Sequence, residues 1–331
     1  MSLARPSLAA SALLLVGALA LTGCSTAGPQ PVAAAEEVAP TSVTVEDNTG
    51  AHELSLPLGS IVALDNRTFE LLDAWGIELT AAAVSLMPDS ISYTEDDSII
   101  DIGNHREPNL EAIVAADPDV IVNGQRFAQF QDDIAALVPD AVILNLDPRD
   151  GEPFDQELIR QVTVLGDVFG KQGEAAQLVA DFETAVARAT AAYDKSATVM
   201  AVTTSGGEIG YLAPSVGRTL GPVFDFLGLT PALKVEGASD DHQGDDISVE
   251  AIADSNPDWI LVMDRDAAVA ADDPAYTPAA AILEDSEALS RVTAVNRGNI
   301  VYMPADTYTN EGIQTYIEFL NALADAFEAA P

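Results

Sequence analysis

"LEAIVAADPDVIVNGQRF" (residues 110–127) and "VEAIADSNPDWILVMDRD" (residues 249–266) follow one plan written twice in the same register. Each opens on a Glu-Ala-Ile stretch, breaks at Pro-Asp, continues as a short apolar run and ends on a loop arginine: Arg126 in the first, Arg265 in the second. Apolar residues at helical spacing predict a helix. A short, unbroken apolar run bounded by turn residues predicts a strand buried on both faces. A helix feeding such a strand through a tight turn is half of an α/β unit with parallel strands. "VFDFLGL" (223–229) likewise echoes "LLDAWGI" (71–77), so several units recur in the same order.

The flanking sequence extends the pattern. "SIVAL" (60–64) predicts a strand and "NRTFELLDAWGI" (66–77) a helix stopped by Gly76. "FAQFQDDIAALVPDAVILNL" (127–146) repeats helix, Pro-Asp turn and strand. Between the halves, "EAAQLVADFETAVARATAAYDK" (174–195) has no Gly or Pro, and Leu178, Phe182, Val186, Ala189 and Tyr193 form one apolar stripe. At 1.5 Å per residue such a helix reaches about 30 Å, enough to join two lobes. The expected fold is α/β: two Rossmann-like lobes, residues 51–170 and 197–331, joined by a single long helix (171–196), with a ligand cleft between them. Ligands of open α/β sheets bind beyond the carboxyl ends of the strands.

Both repeat arginines sit at such strand ends, so both are expected to face the cleft. Arg218 lies in a third, Gly-flanked loop, "PSVGRTLG" (214–221). Three guanidiniums converging on one anion would each contribute a charge-assisted bond of roughly 1.5–3 kcal/mol. They stand out because the chain carries 53 Asp and Glu against 14 Lys and Arg, a formal net charge of −39. That charge excludes a nucleic-acid partner, whose phosphates it repels. No nucleophile elbow, phosphate-binding loop or zinc-protease motif is present. His52, His105 and His242 are read as loop residues without metal-ligand spacing. His105 and Arg106 precede the first repeat helix and are candidates for the cleft wall. Tyr308, in "RGNIVYMPADTYTNEG" (297–312), offers a hydrogen-bond donor or a phenolate for a hard metal. Arg67 and Tyr93 complete the candidate ligand-binding set, with Tyr93, Tyr211, Phe127 and Tyr308 expected to pack on guest rings. No cofactor and no resident metal are expected.

The N-terminus, "MSLARPSLAASALLLVGALALTGC", has a basic Arg5, a short apolar stretch and a lipobox-like "LTGC". It reads as a signal peptide over residues 1–23, with the chain's single cysteine, Cys24, lipidated and tethering the mature protein to the outer face of the membrane. Residues 24–50, rich in Ala, Pro, Thr and Glu, are expected to form a flexible stalk.

The lipobox, "EPNLEAIVAADPDVIV", "NPDWILVMDRD", the joining helix and the "GNIVYM" strand with its tyrosine loop resemble the class III substrate-binding lipoproteins of ABC importers. Within them the sequence is most similar to ferric-siderophore binders of the catecholate and mixed-ligand type. The resemblance implies a monomer that captures an anionic ferric chelate without chemistry and hands it to a membrane permease. It implies that Arg126, Arg218 and Arg265 hold the chelate, with Tyr308 at the position of an iron-ligating tyrosine. The histidine that accompanies that tyrosine in some relatives falls on Phe224 here. Asp132 or Asp133 and Asp272 or Asp273 are candidates for docking to the permease. Cobalamin or haem binding is the alternative within the class; a zinc or manganese receptor or a secreted hydrolase fits less well.

Overall fold

The structure is a computed structural model that describes residues 40–330, which form one unit. The expected signal peptide and Cys24 lie outside the described residues. The first half contains β1 (Ser42–Asp47), β2 (Gly50–Ser55), β3 (Ile61–Ala63), α1 (Phe69–Ala74), β4 (Ala81–Ala82), β5 (Ile100–Asp101), the short pair β6 (Gly103–Asn104) and β7 (Glu107–Pro108), α2 (Leu110–Ala116), β8 (Val120–Asn123), α3 (Gln131–Leu137) and β9 (Val142–Asn145). Two helices follow, α4 (Phe154–Val168) and α5 (Gln172–Ala192). The second half contains β10 (Thr198–Ser205), β11 (Glu208–Tyr211), α6 (Val223–Leu227), β12 (Thr230–Pro231), β13 (Asp245–Asp246), α7 (Val249–Ser255), β14 (Trp259–Asp264), α8 (Arg265–Val269), α9 (Ala279–Glu284), α10 (Thr293–Arg297), β15 (Ile300–Tyr302) and α11 (Ile313–Ala329).

Each half builds one main sheet. The first is parallel throughout, in the order β5-β4-β3-β8-β9. The second runs β13-β11-β10-β14-β15, parallel at β10-β14-β15 and antiparallel at its β11 and β13 edge, with β12 also paired to β10. The duplicated sequence folds as a duplicated structure. The Asn109 side chain caps α2 by accepting from the Ala112 N–H, and Ser248 caps α7 by accepting from Ala251. Both helices end on a left-handed residue, Asp117 and Asn256, just before the proline. The aspartate of each Pro-Asp pair then aligns the adjacent strand. Asp119 accepts from the N–H groups of Gly59 and Ser60 beside β3, and Asp258 from the Thr198 N–H that starts β10.

The link between the halves is thicker than one helix. α5 packs against α4 and α11, burying Phe182, Ala185 and Ala189. Gly166 of α4 permits the close approach: a Cβ there would lie 2.6 Å from that of Ala175. Phe327 of α11 packs at a tilt against Tyr193 (centroids 5.3 Å apart) and meets Trp259 edge-on at 4.8 Å. One continuous apolar core therefore runs from the first sheet through the helices to the second.

Residues 42–50, expected within the stalk, are folded. Residues 42–55 form the β1-β2 hairpin, whose Val45 and Leu54 are buried with Val120 and Leu144 of the first sheet and Val168 of α4. His52, expected in a loop, lies in β2 and bonds to the buried Asp47 at 2.9 Å.

Candidate functional site

The carboxyl ends of β8 and β14 deliver the two repeat arginines to one place. After β8 the chain turns through Gln125, held at φ 45°, into a 3₁₀ helix (Gln125–Phe130). The Gln125 N–H donates to both oxygens of Asp147, at 2.8 and 2.9 Å, and Phe127 is fully buried, so Arg126 is turned into the cleft. Its Nη2 donates to the Tyr308 carbonyl at 2.9 Å. After β14, Asp264 caps α8 through the Ala267 N–H, and Arg265 reaches Ser205 Oγ at 3.2 Å and Asp266 at 3.0 Å. Arg218 stands on a tight loop: a Cβ on Gly217 would lie 2.5 Å from the Ala213 nitrogen, and one on Gly221 would lie 2.2 Å from the Gly217 carbonyl oxygen.

The three guanidiniums surround the Tyr308 ring, with their central carbons 4.7 Å (Arg126), 5.0 Å (Arg218) and 4.8 Å (Arg265) from its centroid. Each contact contributes about 0.5–2 kcal/mol of cation–π attraction. Burial alone would raise the Tyr308 phenol, but Arg265, Arg126 and Arg218 beside it pull it below its ordinary value. Burial pushes the Arg126 guanidinium down, and the charge of Arg218 adds to this.

Three residues after Tyr308 comes Glu311, 1% exposed. It accepts from Thr219 Oγ1 at 2.6 Å, and lies 3.4 Å from Arg218 and 3.6 Å from Arg67. Burial would raise this carboxyl, yet Arg218, Arg67 and Thr219 hold it below the usual carboxylate range. Arg67 also pairs with Asp147 at 3.1 Å. Behind it the fully buried Asp65 accepts from the Arg67 N–H and from Gln161. Burial, with Asp147 nearby, pushes Asp65 up to about 6.

Arg67, Arg126, Asp147, Arg218, Tyr308 and Glu311 line a cavity of about 1070 Å³. His105 and Arg106 stand at one side. The His105 imidazole is pushed down by burial and by the charges of Arg126 and Arg106. The loop after β9 forms a second wall, in which Arg149 bonds the buried Glu157 at 2.6 Å. Phe154, Phe226 and Tyr308 are the aromatic side chains in the lining.

Of the eight candidates, Arg67, His105, Arg106, Arg126, Arg218 and Tyr308 line the cavity. Arg265 touches the Tyr308 ring from outside the lining. Tyr93 is a correction: it is buried, and its hydroxyl donates to the Ile77 carbonyl, which leaves no ring face for a guest. Tyr211, bonded to the Leu233 carbonyl, and Phe127 are core residues for the same reason. Phe224 is buried outside the lining. Asp132, Asp133, Asp272 and Asp273 are exposed. Glu311, Asp147 and Asp65 were missed. Their only sequence signal is a position beside a candidate or at a strand end, as in "DTYTNEG" after Tyr308. Among the described residues no group of three or more His, Cys, Asp or Glu is arranged to hold a metal ion.

Comparison with known proteins agrees with this architecture. The family described as periplasmic binding protein matches residues 61–307. The ferric-anguibactin-binding protein FatB of Vibrio anguillarum is 28% identical over 263 residues, 78% of this chain and 79% of FatB. The petrobactin-binding protein YclQ of Bacillus subtilis is 22% identical over 273 residues, 81% of this chain and 82% of YclQ. The crystal structure of YclQ superposes with a TM-score of 0.74 at 19% identity, over 87% of this chain and 99% of that one. The periplasmic catecholate-siderophore binding protein VctP of Vibrio cholerae gives 0.72 at 22% identity, over 87% of this chain and 100% of VctP. With two sheets bridged by packed helices and a cavity at the strand ends, the chain belongs to the periplasmic binding protein family and is a binding protein, not an enzyme.

Proposed function

We propose that this protein captures a ferric siderophore in the cavity above Tyr308 and delivers it to an ABC-transporter permease. The observation that carries the reading is the convergence of Arg126, Arg218 and Arg265 on one ring at the floor of a ligand-sized cavity, in a chain of net charge −39. Guanidiniums stay charged and offer forked donors to the oxygens of an anionic chelate. FatB, a ferric-anguibactin binder, YclQ, a petrobactin binder, and VctP, a catecholate-siderophore binder, support the same class of guest. Catecholate or mixed-type chelates suit the site better than neutral hydroxamates, because catecholate oxygens leave the ferric complex anionic. Cys24 would tether the protein by a lipid to the outer face of the membrane. Exposed carboxylates, Asp132 or Asp133 on one half and Asp272 or Asp273 on the other, would meet the permease.

The test is titration of the soluble protein, from residue 25, with ferric catecholate, hydroxamate and citrate complexes, cobalamin and haem, followed by tryptophan fluorescence. Trp75 and Trp259 are both buried in the core, so quenching would report energy transfer to a coloured guest rather than contact. Saturable quenching by a ferric catecholate or mixed chelate is expected. Binding of cobalamin or haem alone would overturn the proposal.

A further inference from the structure

Building on the ferric-chelate reading, we infer that Glu311 sets the charge of the guest: the site is matched to a ferric complex carrying one or two negative charges rather than to a trianion. Four guanidiniums act at the floor: Arg67, Arg126 and Arg218 line the cavity, and Arg265 touches the Tyr308 ring from outside the lining. Three carboxylates lie directly against them: Glu311 on Arg67 and Arg218, Asp147 on Arg67, and Asp266 on Arg265. The positive charge left for a guest is therefore small. Arg126 has no carboxylate partner among the described residues; its Nη2 bonds a carbonyl oxygen and its buried Nε has no partner. Glu311 cannot swing out to make room. It is 1% exposed, bonded to Thr219 and set one residue before Gly312, where a Cβ would lie 2.6 Å from the Arg67 carbonyl oxygen.

A buried site must be nearly neutral once loaded, because uncompensated charge away from water is costly. A monoanion or dianion meets that condition here. A trianion would leave negative charge beside the fixed carboxylate of Glu311. The rim acts in the same direction. Asp150, Glu152, Asp155, Asp225 and Asp240 line the cavity against two further arginines, Arg106 and Arg149, and Arg149 is already held by Glu157.

The test is calorimetric titration with a series of tripodal hexadentate ferric complexes of one shape. Their catecholamide arms are replaced one at a time by hydroxypyridinonate arms, giving a trianion, a dianion, a monoanion and a neutral complex. The wild-type protein is expected to bind the monoanion or dianion at least about tenfold more tightly than the trianion, a difference of ~1.4 kcal/mol. In Glu311→Gln, which keeps the acceptor for Thr219, the optimum should move one charge towards the trianion. A wild-type optimum at the trianion or at the neutral complex would overturn the inference while leaving the ferric-chelate reading intact. So would an unmoved optimum in a folded Glu311→Gln protein. If that variant fails to fold, the wild-type series decides alone. Failure of all four complexes to bind would overturn the ferric-chelate reading, and this inference with it.

Discussion

Three guanidiniums around one tyrosine ring repel one another, and the cluster holds because each has a different second partner. Arg126 leans on a carbonyl, Arg265 on Asp266 and Ser205, and Arg218 on Glu311. This difference separates their roles in substitution. Arg126→Ala removes a cation without stranding a carboxylate, so it should weaken the preferred ferric guest at least about tenfold and leave the melting temperature unchanged. Arg67→Ala should do more damage to the fold. It leaves the buried Glu311 with one guanidinium instead of two and Asp147 with none, and breaking a buried pair costs up to about 3–5 kcal/mol. A thermal melt beside a titration separates the two; an Arg126→Ala protein that melts early yet binds normally would contradict the assignment. The arginines were legible in the sequence because a repeated strand-loop register fixes where residues 126 and 265 emerge. Tyr93 was not. Whether a loop tyrosine faces a cleft or the core depends on loop dihedrals that no periodicity encodes, and here its hydroxyl found the Ile77 carbonyl.

At the scale of elements, the duplicated helix-turn-strand unit was readable as a repeat, and the structure adds that Asn109 and Ser248 cap the two helices at the same position. The hairpin over residues 42–55 was not, although "VTVEDNTGAHELS" alternates about a turn, which is a hairpin pattern. Composition suggested a stalk and concealed the alternation. The cavity's second wall was equally obscure, because it depends on α4. There Glu157, 2% exposed, accepts from Arg149 and Arg160 and anchors the loop that carries Arg149. Burial would raise this carboxyl, but the bonds from Arg149 and Arg160 hold it at about 2. With the folded value below the unfolded one, its stabilisation is present above the ordinary carboxylate range and is lost as pH falls towards 2. Glu157→Gln should therefore lower the melting temperature at pH 7 and flatten its decline between about pH 4.5 and 2. Parallel wild-type and variant melting curves across that interval would refute the role given to Glu157.

The whole molecule joins a continuous core to a large net charge. Because α4, α5 and α11 pack as a block between the sheets, closure on the guest should be small, and scattering profiles of free and loaded protein should superimpose. The charge has a less obvious consequence. At −39, the molecule repels an anion long before the anion reaches the guanidiniums, and the rim carboxylates continue the repulsion to the mouth. Repulsion across that distance is screened by salt, whose Debye length falls from about 30 Å at 0.01 M to about 8 Å at physiological ionic strength. Contacts at the floor are short and desolvated, so screening reaches them less. Adding salt over this range should thus raise the association rate of an anionic ferric chelate, the reverse of ordinary electrostatic steering, while its dissociation rate changes less. Stopped-flow mixing at several salt concentrations measures both rates. An association rate that falls with salt would mean that the arginines project their field beyond the mouth, and that the acidic exterior does not govern approach.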